Sequence, residues 1–129
     1  MSTYVPPTEQ LVTEVIVSNI RRSVDFYVRL GFRLLRDDGA FVELSWEDHR
    51  FFLDEQPVSG ETHLAQPLSH LGFSRANIRV MVPNVDEYWK LANENGAPIT
   101  TPVADRDYGL RDFIIADPDG FGVRFATWL

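Results

Sequence analysis

Residues 107–125 read DYGLRDFIIADPDGFGVRF, and the fold of the whole chain can be worked outward from them. Phe113-Ile114-Ile115-Ala116 is a continuous apolar run of strand length. Asp117-Pro118-Asp119-Gly120 follows with turn chemistry: proline presets φ, aspartate bonds its own backbone, and glycine accepts positive φ. Val123-Arg124-Phe125-Ala126 then alternates, so the unit predicts a hairpin. Asp117 and Asp119 are read here as turn formers, not as a pair of catalytic carboxylates.

Upstream, the same kind of unit is written twice. Residues 11–17 alternate as a strand, and Ser18 or Asn19 can cap the helix that follows. Ile20, Val24, Tyr27 and Val28 recur at helical spacing, and Gly31 stands where a helix stops. A strand is expected over 32–36, a turn over 37–39, and a hairpin from 40–46 to 50–54. The second pass has a strand over 77–82, a helix over 84–95 with Val85, Tyr88, Trp89 and Ala92 inward, and a stop at Gly96. A short strand over 98–101 and a loop over 102–107 lead back to the hairpin. Val15 aligns with Val80 and Gly31 with Gly96 at one offset, 80 − 15 = 96 − 31 = 65. Caps, apolar positions and stop glycines all keep that register, which is the mark of a repeat. The expected fold class is α+β, with module one over about 10–54, a connection over 55–76, and module two over 77–129. The first ten residues read as a loose arm.

Composition narrows the function. The 129 residues carry a net charge of −7 and no cysteine. Disulfides, thiolate metal sites and a cysteine nucleophile are thereby excluded. The acidic balance argues against a nucleic-acid partner and suits a cationic small molecule. No apolar run reaches membrane-spanning length and no signal peptide is evident at the N-terminus, so the expectation is a cytoplasmic protein without a membrane partner. Phosphate loops, GxSxG elbows and HExxH helices are missing.

The run from Val17-Ser18-Asn19-Ile20 through Ser23, Phe26-Tyr27 and Leu30-Gly31-Phe32 resembles the opening of the vicinal oxygen chelate superfamily, which holds glyoxalases, bleomycin-resistance proteins and extradiol dioxygenases. Pro83-Asn84-Val85-Asp86-Glu87-Tyr88-Trp89 with Gly96-Ala97 is similar to its second-module helix, and the DPDG turn to its closing hairpin. The resemblance implies two tandem βαβββ modules whose strands form a curled mixed sheet around a concave cavity, commonly in a homodimer. It also implies metal-ligand positions. Those readable here hold Val12, Asn77 and Arg124, which are an alkyl group, a neutral amide and a permanent cation. The fourth falls on Leu53 or Asp54.

The expectation is therefore a binder without metal or other cofactor, resembling the bleomycin-resistance branch and sequestering a planar, cationic molecule. Its ligand-facing residues are Phe41, Tyr108, Arg124, Glu14, Trp46 and Phe52, with Phe51 and Trp128 as further aromatics. Glu14 serves there as a partner for a ligand cation or for Arg124. The alternative is a metal-dependent lyase, isomerase or dioxygenase with relocated ligands, Glu14 and Glu43 aided by His49, His63 or His70. A third reading makes Glu14 a general base raised by burial in a metal-free enzyme.

Overall fold

The computed structural model describes residues 5–56 and 75–129. The expected histidines at 63 and 70, and most of the connection between modules, lie outside these residues. The chain divides into two compact units, residues 1–66 and 67–129.

In the first unit Asn19 accepts a hydrogen bond from the Arg22 backbone N–H and starts α1 (Ile20–Arg29). In the second, Asn84 does the same for Asp86 at the head of α2 (Val85–Glu94). Such caps stabilise a helix by about 1 kcal/mol each. Both helices end alike. Gly31 and Gly96 take φ of 112° and 67°, and Phe32 and Ala97 donate back to Tyr27 and Ala92, closing a Schellman turn.

Each helix is embedded in four strands. In the first unit these are β1 (Thr13–Val17), β2 (Arg33–Asp37), β3 (Phe41–Trp46) and β4 (His49–Glu55), in the order β1-β4-β3-β2. In the second they are β5 (Asn77–Met81), β6 (Ile99–Asp105), β7 (Leu110–Ala116) and β8 (Gly122–Trp128), in the order β5-β8-β7-β6. First and last strands of each unit pair parallel, and the other pairs are antiparallel. The α+β class and the two βαβββ modules are as expected, with the strands shared between two four-stranded sheets.

Strand alternation decides which face of each sheet the helix covers. In the first unit Val15, Val17, Val42, Leu44, Phe51 and Leu53 are buried on the helix side with Tyr27 and Leu30. Tyr27, Phe32 and Phe51 pack ring to ring within 5.4 Å. In the second unit Phe113, Ile115, Val123 and Phe125 are fully buried, and Tyr88 and Trp89 of α2 lie on Phe125 and Phe113. Ser23 and Tyr27, not Val24 and Val28, complete the inner face of α1; Val28 is exposed.

Most boundaries fall within two residues of expectation, and two segments differ by more. The strand expected over 98–101 runs on to Asp105, through Pro102. Proline is tolerated because β6 is an edge strand and its pairing slips between Thr101 and Ala104. Near the N-terminus, Pro7–Glu9 forms one 3-10 turn rather than loose arm, and Glu9 reaches Arg50 at 3.8 Å.

Candidate functional site

Most of the candidate side chains lie on the faces away from the helices. On the first sheet the register sets Glu14 beside Phe52, and Phe52 beside Glu43. The neighbouring row runs Ile16, Asp54, Phe41. The Phe41 and Phe52 rings meet at 5.3 Å, tilted by 60°. Three of their neighbours on this face are carboxylates, Glu14, Glu43 and Asp54. Glu43 is reached by Arg36 at 3.5 Å, and Asp54 accepts long bonds from the Gln56 amide. Glu14 is exposed and has no ion-pair partner among the described residues. The general-base reading needs a buried Glu14, and the exposure of this carboxylate removes its premise.

Phe41, Phe52 and Glu14 are thus brought together as neighbours. Trp46 is not among them. It points to the helix side, where its ring meets Phe32 at 5.1 Å, because it shares the alternation of Val42 and Leu44. Phe51 lies on that side too.

The repeat also corrects one position. Arg79 is the registered partner of Arg124, as Glu14 is of Phe52, and 79 − 65 = 14. The module-one counterpart of Arg124 is therefore Phe52, rather than Leu53 or Asp54. Leu53 is fully buried on the helix side.

On the second sheet the centre is Asp112, a residue whose role the sequence reading missed. It is 1% exposed, yet it faces away from α2. Arg106 Nε donates to it at 2.8 Å, the Tyr108 hydroxyl at 2.5 Å and Arg124 Nη1 at 3.3 Å. Arg124 Nη1 also lies 3.4 Å from the Tyr108 hydroxyl. Gly109, at φ 91°, makes the turn that folds Tyr108 back over the strand. Burial alone would push the Asp112 carboxyl up, but its bonds from Tyr108 and Arg106 and the charge of Arg124 hold it below the usual carboxylate range. The same bond to Asp112, aided by burial, raises the Tyr108 phenol above its ordinary value. Tyr108 and Arg124 are brought together, and the carboxylate paired with Arg124 comes from its own sheet. Reading the strand from Leu110 rather than Phe113 places Asp112 on the face of Ile114 and Arg124, a signal present in the alternation.

These residues do not suit a divalent ion at the implied positions. Arg124 presents a guanidinium where an oxygen donor is required, and Asn77 a neutral amide. The relocated pair fares no better. Glu14 and Glu43 are two strands apart, about 10 Å, with the Phe52 side chain between them. His49 starts β4 and is exposed. Among the described residues, no group of three His, Cys, Asp or Glu is placed to hold an ion. In the DPDG turn, Asp117 Oδ1 accepts from the Asp119 and Phe121 amides at 2.9 Å, as expected of a turn former.

Among the described residues no helix is long and apolar enough to cross a membrane. Solved structures share the fold. TioX from Micromonospora sp. ML1 is 25% identical, with 92% of this chain and 98% of that one covered at a TM-score of 0.68. A bleomycin resistance determinant encoded on the transposon Tn5 is 18% identical, over 92% and 97% of the two chains, with a TM-score of 0.71. A protein of unknown function from Agrobacterium tumefaciens str. C58 is 21% identical over 98% of each, with a TM-score of 0.74. No curated protein matches the chain. The sequence model of one family does, from residue 10 to residue 125, taking in both helices and running into the last strand. On that match the chain belongs to the Glyoxalase/Bleomycin resistance protein/Dioxygenase superfamily.

Proposed function

We propose that this protein binds a planar, cationic small molecule and sequesters it without a metal, working as a homodimer. The observation that carries the reading is the Phe41–Phe52 ring pair on the sheet face away from α1, with Glu14, Glu43 and Asp54 around it. A ring face attracts a cation, and a carboxylate without a partner does so more strongly. Tyr108 and Arg124 are the ligand-facing residues of the second module. The Tyr108 ring is 53% exposed while its hydroxyl is tied to Asp112, so little freedom is lost when a flat molecule stacks on it. Likeness to a bleomycin resistance determinant supports a start with drugs of that kind.

The test is calorimetry on chelator-stripped protein with planar cationic antibiotics, bleomycin included, with and without Zn²⁺ or Ni²⁺. Phe41→Ala and Glu14→Gln should each weaken an identified ligand about tenfold, the scale of one cation–π interaction in a desolvated site. If Phe41→Ala and Tyr108→Ala both leave the affinity unchanged, the site assignment is wrong. Tight binding of one metal ion per chain would instead move a metal-dependent enzyme ahead.

A further inference from the structure

We propose that the face of the second sheet away from α2 holds an anion subsite, in which Arg79 and Arg124 grip the carboxylate of a flat aromatic ligand beside Tyr108. This rests on the reading above, in which Tyr108 and Arg124 already face the ligand, and adds to it a group of opposite charge; its observations come from the second module alone.

Arg79 and Arg124 are registered partners on the parallel strands β5 and β8, so their side chains leave the same face from backbones about 4.8 Å apart. Like charges placed directly across a strand pair repel. No carboxylate offsets the pair fully. Asp112 already takes Arg106 at 2.8 Å, and its bond to Arg124 is long, at 3.3 Å. Arg79 is exposed and makes no hydrogen bond or ion pair among the described residues. Asp107, in the turn before Tyr108, is exposed and has no ion-pair partner among them either. Two guanidinium groups thus share one buried carboxylate, and a third, on Arg79, is registered beside Arg124, in a chain whose net charge is −7. The positive excess is local.

The form of Arg124 says what the excess is for. Both of its bonds run through Nη1. The opposite edge, Nε with Nη2, is the fork that takes a carboxylate in bidentate fashion. That edge makes no bond among the described residues, and Nε is buried without a partner. A buried donor left unmatched is costly; a carboxylate that enters on the Nη2 side and shifts the cover over Nε relieves it. Arg79 alone would pass as a charge that protects an edge strand from pairing. Arg124 would not, because β8 lies inside the sheet, between β5 and β7. Tyr108 completes the site, its hydroxyl fixed by Asp112 and its ring open to a planar neighbour.

The experiment compares 1-naphthoate with its neutral isostere 1-naphthamide, followed through the Nε–H signals of ¹⁵N-labelled arginine and by calorimetry. Naphthoate should bind about tenfold tighter than naphthamide, as expected for charge-assisted hydrogen bonds, and should move the Arg79 and Arg124 signals. Arg79→Gln and Arg124→Gln should erase that preference, while Arg124→Lys, which keeps the charge and loses the fork, should restore only part of it. Arg79 is exposed, so its variant reports on binding even if Arg124→Gln were to unfold. Equal affinity for the two probes, or a preference untouched by Arg79→Gln, overturns the proposal. Naphthoate preference that survives Glu14→Gln while cation binding does not would separate this subsite from the cation reading.

Discussion

The two modules share one backbone plan and use it for opposite charges. The row Glu14, Phe52, Glu43 of the first sheet corresponds to Arg79, Arg124, Ile114 of the second. The row Ile16, Asp54, Phe41 corresponds to Met81, Ala126, Asp112. Where one sheet sets an aromatic ring, the other sets a buried carboxylate with arginines around it. Even a shared device is filled differently. The first free amide of α1, on Ile20, donates to the Glu55 carboxylate at 2.8 Å, and its counterpart on Val85 donates to the Thr127 hydroxyl at 2.8 Å. The repeat therefore keeps its geometry, namely caps, stops and register, and leaves the chemistry of the outer faces free to diverge.

Substitutions at matched positions can break or sharpen this comparison. The largest expected effect is at Asp112. Asp112→Ala leaves Arg106 and Arg124 facing each other without their carboxylate and should cost about 3–5 kcal/mol in urea unfolding. Phe41→Ala, at the equivalent place, leaves no charge unpaired and should cost clearly less. Similar losses would mean that Asp112 matters only as filler. Next comes the core: Phe113→Ala empties a fully buried site against Trp89 and Phe125 and should cost about 3–5 kcal/mol. Thr127→Val removes the amide acceptor at the head of α2, with about 1 kcal/mol expected.

A pH titration of unfolding tests the Asp112 cluster further. The folded carboxyl of Asp112 lies below its unfolded value, so its contribution is present above about pH 4 and lost as pH falls through the folded value. Asp112→Asn should flatten that acid limb. Tyr108 lies above its unfolded value, so its contribution holds below about pH 10 and fades as pH rises through the folded one. The smallest effect belongs to surface pairs such as Arg29–Asp25 and Lys90–Glu94, where removal should shift stability by about 0.5 kcal/mol or less.

What was legible in the sequence was what local chemistry specifies. Asn19 and Asn84, Gly31 and Gly96, and the DPDG turn each declare a backbone conformation through their own side chains or lack of one. The outer faces were partly legible: Phe41, Phe52, Tyr108 and Arg124 were all named as ligand-facing, the first and third through the family resemblance, but which of them are neighbours was not. Alternation was not enough for Asp112, because a carboxylate placed before an apolar run reads as a strand end until the pairing with Ala126 is known. Trp46 declares an aromatic ring but not its side of the sheet, and a one-residue difference in phase decides that. Pro102 reads as a breaker because edge strands are defined only by the order of a finished sheet.

The parallel pairing of first with last strand has a kinetic consequence. Each module must bring together segments far apart in sequence before its sheet is complete: Thr13 with Phe51, 51 − 13 = 38 residues away, and Asn77 with Gly122, 122 − 77 = 45 away. Chain-closure entropy grows so slowly with length that the two differ by only about 0.15 kcal/mol. Neither module has a built-in head start in the search. During synthesis order is then set by emergence alone, with the N-terminal module able to close while the second is still being made.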